Sequence, residues 1–176
     1  MRLHLLFLLA FTLNLGNVFL PRDLSSVKGN KSYSSDTFQF EYPKNWHITD
    51  EEQIDDEIFY LSIEKKGIND SGIYTIVSYE GEYYLDELID LNVEELKTNT
   101  FLKGLKKSEN KDGSFSHYEG RNATFNFTSF GLKHSGEIFT FMTETHTFYV
   151  LRQGADEDES KNKEGFQLIE QSFKAK

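Results

Sequence analysis

From Phe38 onward, apolar and polar positions alternate with a period of two. In "TFQFEYPKNWHI" (Thr37–Ile48), Phe38, Phe40 and Tyr42 fall on one side and Thr37, Gln39 and Glu41 on the other, as in a strand with one face turned inward. Pro43 has no N–H to give to a ladder, so the strand ends or turns there. Lys44 and Asn45 then make a corner, and Trp46, the only tryptophan, is placed to close the end of the core. "EIFYLSIEK" (Glu57–Lys65) and "GIYTIVSYEG" (Gly72–Gly81) read as two more strands, joined by a turn-forming "KGINDSG" into an antiparallel hairpin.

The period then changes. In "YLDELIDLNVEELKTNT", Leu85, Leu88, Ile89, Val93 and Leu96 share one helical face, with Glu87, Asp90, Glu94 and Lys97 opposite. Asp86 and Glu87 in the first turn and Lys97 in the last suit the helix dipole. Asn92 lies on the apolar face, where its amide needs a structural hydrogen bond. Strand patterns return at "RNATFNFTSF" (Arg121–Phe130), "GEIFTFMTET" (Gly136–Thr145) and "HTFYVLRQG" (His146–Gly154), the last two as antiparallel neighbours. An acidic stretch, "ADEDESKNKE", reads as a solvated loop before a short helix carrying Phe166, Ile169 and Phe173. Strands, helix, strands, helix predict an α+β fold in which an antiparallel β-sheet is covered by helices.

Composition narrows the picture. A chain of 176 residues, 38% apolar and 15% aromatic, has material for one core, and sixteen Phe and nine Tyr against two Met favour strands. A net charge of −10 disfavours nucleic acid as a partner. "KGLKKSENK" (Lys103–Lys111) is the one candidate basic patch and reads as a solvated loop. Residues 1–20, with Arg2 before the apolar "LLFLLAF", read as a signal peptide, and residues 21–35, rich in Ser, Asn and Lys, as a linker. Residues 36–176 then form the domain, secreted or periplasmic, with a membrane contact expected only if the leader stays uncleaved. No cysteine is present for a disulfide or for acylation.

The opening strand and corner, "FQFEYPKNW" (Phe38–Trp46), the amphipathic helix over Leu85–Leu96 and the closing "LIEQSF" (Leu168–Phe173) together resemble the PsbP-like group. That group takes its name from an accessory protein of photosystem II. The resemblance implies a Mog1/PsbP-like α/β/α sandwich over about Ser35–Lys176. It also implies a non-enzymatic accessory or binding role, with no shared catalytic residues and no cofactor. No plastid transit composition accompanies it, so a photosynthetic role is not implied.

Three further groups of residues bear on chemistry. Tyr79, Tyr83 and Tyr84 cluster around Gly81 where a strand gives way to the helix; they wall a ligand groove or form a structural seam. His47, His117, His134 and His146 would support a hydrolase or lyase only if one of them meets a carboxylate in a cleft. "SENKDGSFSHYE" (Ser108–Glu119) sets Asn110, Asp112, Gly113 and Glu119 at calcium-loop spacing, with Ser108 where a carboxylate belongs. No metal site is assigned by any histidine spacing, and no nucleophile motif or phosphate loop appears. The leading expectation is an exported binding protein with an unidentified protein partner in the envelope or the extracellular space.

Overall fold

The structure, a computed structural model, describes residues 29–67 and 70–176. The leader expected at 1–20 and the first part of the expected linker lie outside them. The strands β1 (Asn30–Ser34), β2 (Phe38–Pro43), β3 (Trp46–Gln53), β4 (Ile58–Lys65) and β5 (Ile73–Glu80) precede helix α1 (Leu85–Thr98). Five strands follow: β6 (Lys103–Lys107), β7 (Lys111–Phe115), β8 (Tyr118–Ser129), β9 (Leu132–Met142) and β10 (His146–Ala155). A single 3-10 turn (Asp156–Asp158), helix α2 (Glu159–Ser172) and the short β11 (Lys174–Ala175) close the chain.

Eight strands make one antiparallel sheet in the order β3-β4-β5-β10-β9-β8-β6, with β7 paired to the first half of β8. The expected β4–β5 and β9–β10 pairings are both present. Helix α1 covers one face. Its Leu88, Ile89, Val93 and Leu96 bury against Val77, Tyr79, Tyr149, Phe125, Phe127 and Ile138. Asn92 is satisfied inside that layer by donating to Leu88 O at 2.8 Å.

The other face is covered jointly by α2 and a three-stranded sheet, β1-β2-β11. The alternation of β2 puts Phe38, Phe40 and Tyr42 inward, where they meet Leu61, Ile63, Ile76, Phe148, Val150, Ile169 and Phe173. Pro43 therefore ends a strand of one sheet and Trp46 begins a strand of the other. Lys66 N–H donates to Asn45 O at 2.7 Å and holds the corner to β4. Trp46, 1% exposed, packs edge-on to Phe166 of α2 at 5.5 Å. Its indole also lies against Gly165 and Gly72, where any side chain would collide with it.

Three expectations are corrected. Asn30–Ser34, within the expected linker, is a strand paired in full with β2. Lys103–Lys107, expected as a loop, is edge strand β6 paired to β8. The acidic stretch is no solvated loop: Asp158 is 2% exposed and accepts from Ser71 Oγ at 3.0 Å and Lys161 Nζ at 2.5 Å, and α2 starts directly after it. The Lys161 ammonium and the Ser71 hydroxyl hold the Asp158 carboxyl below the usual carboxylate range, ahead of the opposing effect of burial on one side of the site.

Candidate functional site

Register brings the ends of β3, β4, β5 and β10 to one edge of the large sheet, where the β1–β2 turn folds over them. Glu80 of β5 stands opposite His146 of β10, and Ile58 of β4 opposite Tyr79. The turn Ser35–Thr37 is fixed by Ser35 Oγ, which accepts from the N–H groups of Thr37 and Phe38 at 3.3 and 3.2 Å. Thr37 and Ser78 share a hydroxyl hydrogen bond of 3.2 Å that ties the small sheet to the large one. Between these elements lies a cleft of about 400 Å³.

Five carboxylates line it, from Asp36, Glu51, Asp56, Glu57 and Glu80, together with His146. Two neighbours shape its rim. Tyr33 OH donates to Glu51 Oε1 at 2.8 Å, and burial together with that carboxylate pushes the phenol well above its ordinary range. Gln53 Nε2 donates to Asp55 O at 2.6 Å, fixing the β3–β4 connection. So many carboxylates in one concavity set a negative potential that attracts cationic groups and repels anions.

The three tyrosines are only partly brought together. Tyr79 is fully buried beneath α1, and burial raises its phenol. Its ring lies 5.1 Å from Tyr83, which is half-buried and whose phenol is raised by burial and by Glu57 and Asp55. Tyr84 is 81% exposed at the start of α1. The connection that carries them is pinned: Tyr83 N–H donates to Thr147 Oγ1 at 3.1 Å, and that hydroxyl donates to Gly81 O at 2.8 Å. Gly81, at φ +89°, takes the left-handed bend between β5 and α1 that a side chain would strain. Tyr79 is thus a core residue, whereas Tyr83 and Tyr84 come after Gly81 and Glu82, at the same end of the sheet as the acidic cleft, with Tyr83 near enough to Glu57 to feel its charge.

The histidines are dispersed. His47 is exposed on β3 opposite Glu64, and His117 sits in the β7–β8 turn against Ser116 and Tyr118. His134 stacks on Phe127 at 4.9 Å, and burial lowers its pKa against the pull of Asp156, Asp158 and Glu157. His146 alone lines the cleft, but its Nδ1 is hydrogen-bonded to Thr145 Oγ1 at 2.8 Å. The ion pairs among the described residues join carboxylates to Lys and Arg, and none includes a histidine.

The calcium-loop expectation is overturned. Lys111–Asn122 is a β-hairpin, with Gly113 paired to Gly120 and Ser114 to Glu119, so the would-be ligands are spread along a ladder and cannot converge. Asp112 is bound by Arg121, and Asn110 accepts from Lys107 Nζ at 2.6 Å. Among the described residues no group of three or more His, Asp or Glu side chains is arranged to hold a metal ion. The cleft itself escaped sequence reasoning because its lining comes from segments 35–37, 51–59, 78–80 and 146, which only strand register unites.

No protein-family model and no curated protein matches the chain. Solved structures do. LpqN of Mycobacterium tuberculosis, described as involved in cell envelope biogenesis, superposes with a TM-score of 0.52 at 12% identity over 83% of this chain and 84% of that one. Cyanobacterial PsbP from a Synechocystis species gives 0.58 at 9% identity over 92% and 99%. A Bacteroides thetaiotaomicron protein gives 0.52 at 15% identity, and the chain spans 48% of its length. At such identities the likeness establishes the fold, which is PsbP-like.

Proposed function

We propose that this chain is an exported accessory protein, without catalytic activity of its own, that binds a protein partner in the cell envelope or outside the cell. The observation that carries this reading is the coincidence of two features at one end of the large sheet. Tyr84, 81% exposed, and the half-buried Tyr83, whose phenol feels Glu57 of the cleft, come three to four residues after Glu80, one of the five carboxylates that line the cleft. An aromatic anchor beside a charged concavity is the make-up of a protein-binding surface, and its charge selects a partner segment rich in Lys or Arg. The fold shared with LpqN, described as involved in cell envelope biogenesis, supports the setting. No described helix is long and apolar enough to cross a membrane.

A photo-crosslinking amino acid at position 84 in the native host tests the reading, with the exposed position 164 on α2 as control. A discrete protein adduct from position 84 is expected. It should weaken at high salt and disappear when Glu57→Lys and Glu80→Lys reverse the charge of the cleft. Equal adducts from both positions, or an adduct indifferent to the two reversals, would reject the cleft as the binding surface.

A further inference from the structure

The opposite end of the molecule has a different chemistry. In the turn after α1, Phe101 is 48% exposed; at the β8–β9 turn, Phe130 is 65% and Leu132 43% exposed. The two phenyl rings stack at 5.5 Å, so these are contiguous surface and not scattered single residues. Phe130 and Gly131 form the two-residue turn with φ of +49° and +85°. A type I′ turn of this kind favours Asn-Gly, and a bulky residue in its first position is a backbone outlier. Local strain is tolerated here to hold a large apolar ring out in solvent.

The charge of this end is equally distinct. Residues 97–107 and 126–136 contain no Asp or Glu, in a chain with 29 acidic residues, and they carry Lys97, Lys103, Lys106, Lys107 and Lys133. Lys97 pairs with Glu94 and Lys107 with Asp90, whereas Lys103, Lys106 and Lys133 take part in none of the described ion pairs. Lys103, Thr128 and Lys133 occupy one rung across β6, β8 and β9, and Lys106 stands opposite Asn126. Thr128 and Asn126 alternate with the inward Phe125 and Phe127, so the three exposed lysines share the outward face. Glu94 is engaged by Lys97 and Asp156 by Ser135 Oγ at 2.7 Å; of the other two carboxylates that act on His134, Asp158 is paired with Lys161 and Glu157 is exposed.

We infer that this tip docks on an anionic lipid bilayer, Phe101, Phe130 and Leu132 entering the interface while Lys103, Lys106 and Lys133 meet the headgroups. Aromatic side chains favour the polar–apolar boundary of a bilayer, and lysines beside them add attraction to acidic lipids. A hairpin tip needs no matching pocket in a bilayer. Self-association through the same tip would instead bring two sets of unpaired lysines together. The described chain begins at this end too: Asn30 pairs with Pro43, next to the corner that leads into Trp46. The inference is independent of the partner reading, which concerns the other end of the sheet.

The test uses the full chain on vesicles of phosphatidylcholine with acidic phosphatidylglycerol, their acyl chains carrying bromine as a short-range quencher. Phe130→Trp places an indole at the tip, and Met142→Trp places one at the far end of β9, about 30 Å away at strand rise. Native Trp46, 1% exposed, contributes the same background to both. Quenching at position 130 is expected to exceed that at 142 by about threefold and to need the acidic lipid. Lys103→Glu, Lys106→Glu and Lys133→Glu together should cut the affinity read at position 130 by about a hundredfold. Phe101→Trp gives the same reading without touching the strained turn.

Equal quenching at positions 130 and 142, or equal quenching without acidic lipid, overturns the inference. So does a dimer in solution that Phe130→Ser dissolves while no quenching is seen, which would assign the tip to a second copy of the chain.

Discussion

Gly165→Ala tests the closing of the core by Trp46 most sharply, because two effects of known sign oppose each other. Gly165 lies inside α2, where exchanging a helical glycine for alanine ordinarily stabilises by about 1 kcal/mol. Here the added Cβ would fall 2.6 Å from Cζ2, 2.7 Å from Cε2 and 2.9 Å from Nε1 of Trp46. Carbon atoms settle at about 3.5–4.0 Å, so helix or indole must retreat by roughly 1 Å. The indole has little room, since Phe166 holds one side and its Cη2 already limits Gly72 on the other. Overpacking of this kind costs about 1–3 kcal/mol, and at the upper end it outweighs the helix term to leave a net loss of about 2 kcal/mol.

Trp46→Phe removes the atoms in the way. In that background Gly165→Ala should turn stabilising by up to about 1 kcal/mol, a coupling of about 3 kcal/mol between the two positions. Urea titrations of the four proteins provide the reading, as shifts in midpoint at unchanged slope. A midpoint that rises for Gly165→Ala in the parent protein, or moves equally in both backgrounds, would falsify the claim that indole and helix are in rigid contact.

Three further outcomes are expected. Arg152 bridges Glu137 at 2.7 Å and Glu170 at 2.8 Å, joining β9 and β10 to α2, with its side chain 25% exposed; Arg152→Ala should therefore cost about 2 kcal/mol at neutral pH, less than a fully buried pair. Thermal unfolding should show that deficit narrowing in acid, where the stranded carboxyls become protonated. Asp158 titrates below its unfolded value, so its stabilisation is complete above about pH 4 and fades as pH falls through the lower native pKa. Asp158→Asn should flatten that acid limb, and an unchanged limb would count against the Lys161 and Ser71 contacts as its cause. Phe130→Asn relieves a left-handed phenylalanine and should raise stability by about 1 kcal/mol; a lower melting temperature would mean that the stack on Phe101 outweighs the strain.

What sequence patterning revealed divides along a physical line. A strand buried on one face needs an apolar residue at every second position and one buried on both faces a near-continuous apolar run, so β2 and β8 announce themselves by alternation, β4, β5, β10 and the second half of β9 by apolar runs, and α1 by its apolar stripe. Edge strands pair on one side only and are protected by polar and charged residues, which erases the alternation. That is why β1, with Tyr33 as its one large apolar residue, reads as linker and why the lysine-rich β6 reads as loop. The first half of α2 is hidden for a related reason. It packs through Asn162 and Gly165, both buried and neither apolar in any hydropathy sense, against glycines and an indole contributed by other elements. Nor can alternation tell which sheet a strand joins; that Pro43 hands the chain from one sheet to the other follows from pairing alone.

The candidate surfaces lie at the two ends of the sheet and are only half visible in the sequence for the same physical cause. Strand interiors are constrained by packing, so Tyr79, singled out for its neighbours in sequence, is spent on the core, while Tyr84, five residues on, escapes past Gly81 into solvent. Strand ends are released from alternation and can collect one sign of charge. Five carboxylates gather where β3, β4, β5 and β10 meet the β1–β2 turn, and three lysines outside the described ion pairs where β6, β8 and β9 meet the end of α1. The net charge of −10 averages over both and describes neither. The cleft and the lysine tip of β6, β8 and β9 differ in charge, although Asp156–Asp158 lie at the same end as the tip: a negatively charged bilayer would repel the cleft and attract the lysines. Docking by the tip would therefore hold the acidic cleft and Tyr84 away from the membrane, open to the basic partner proposed for that end.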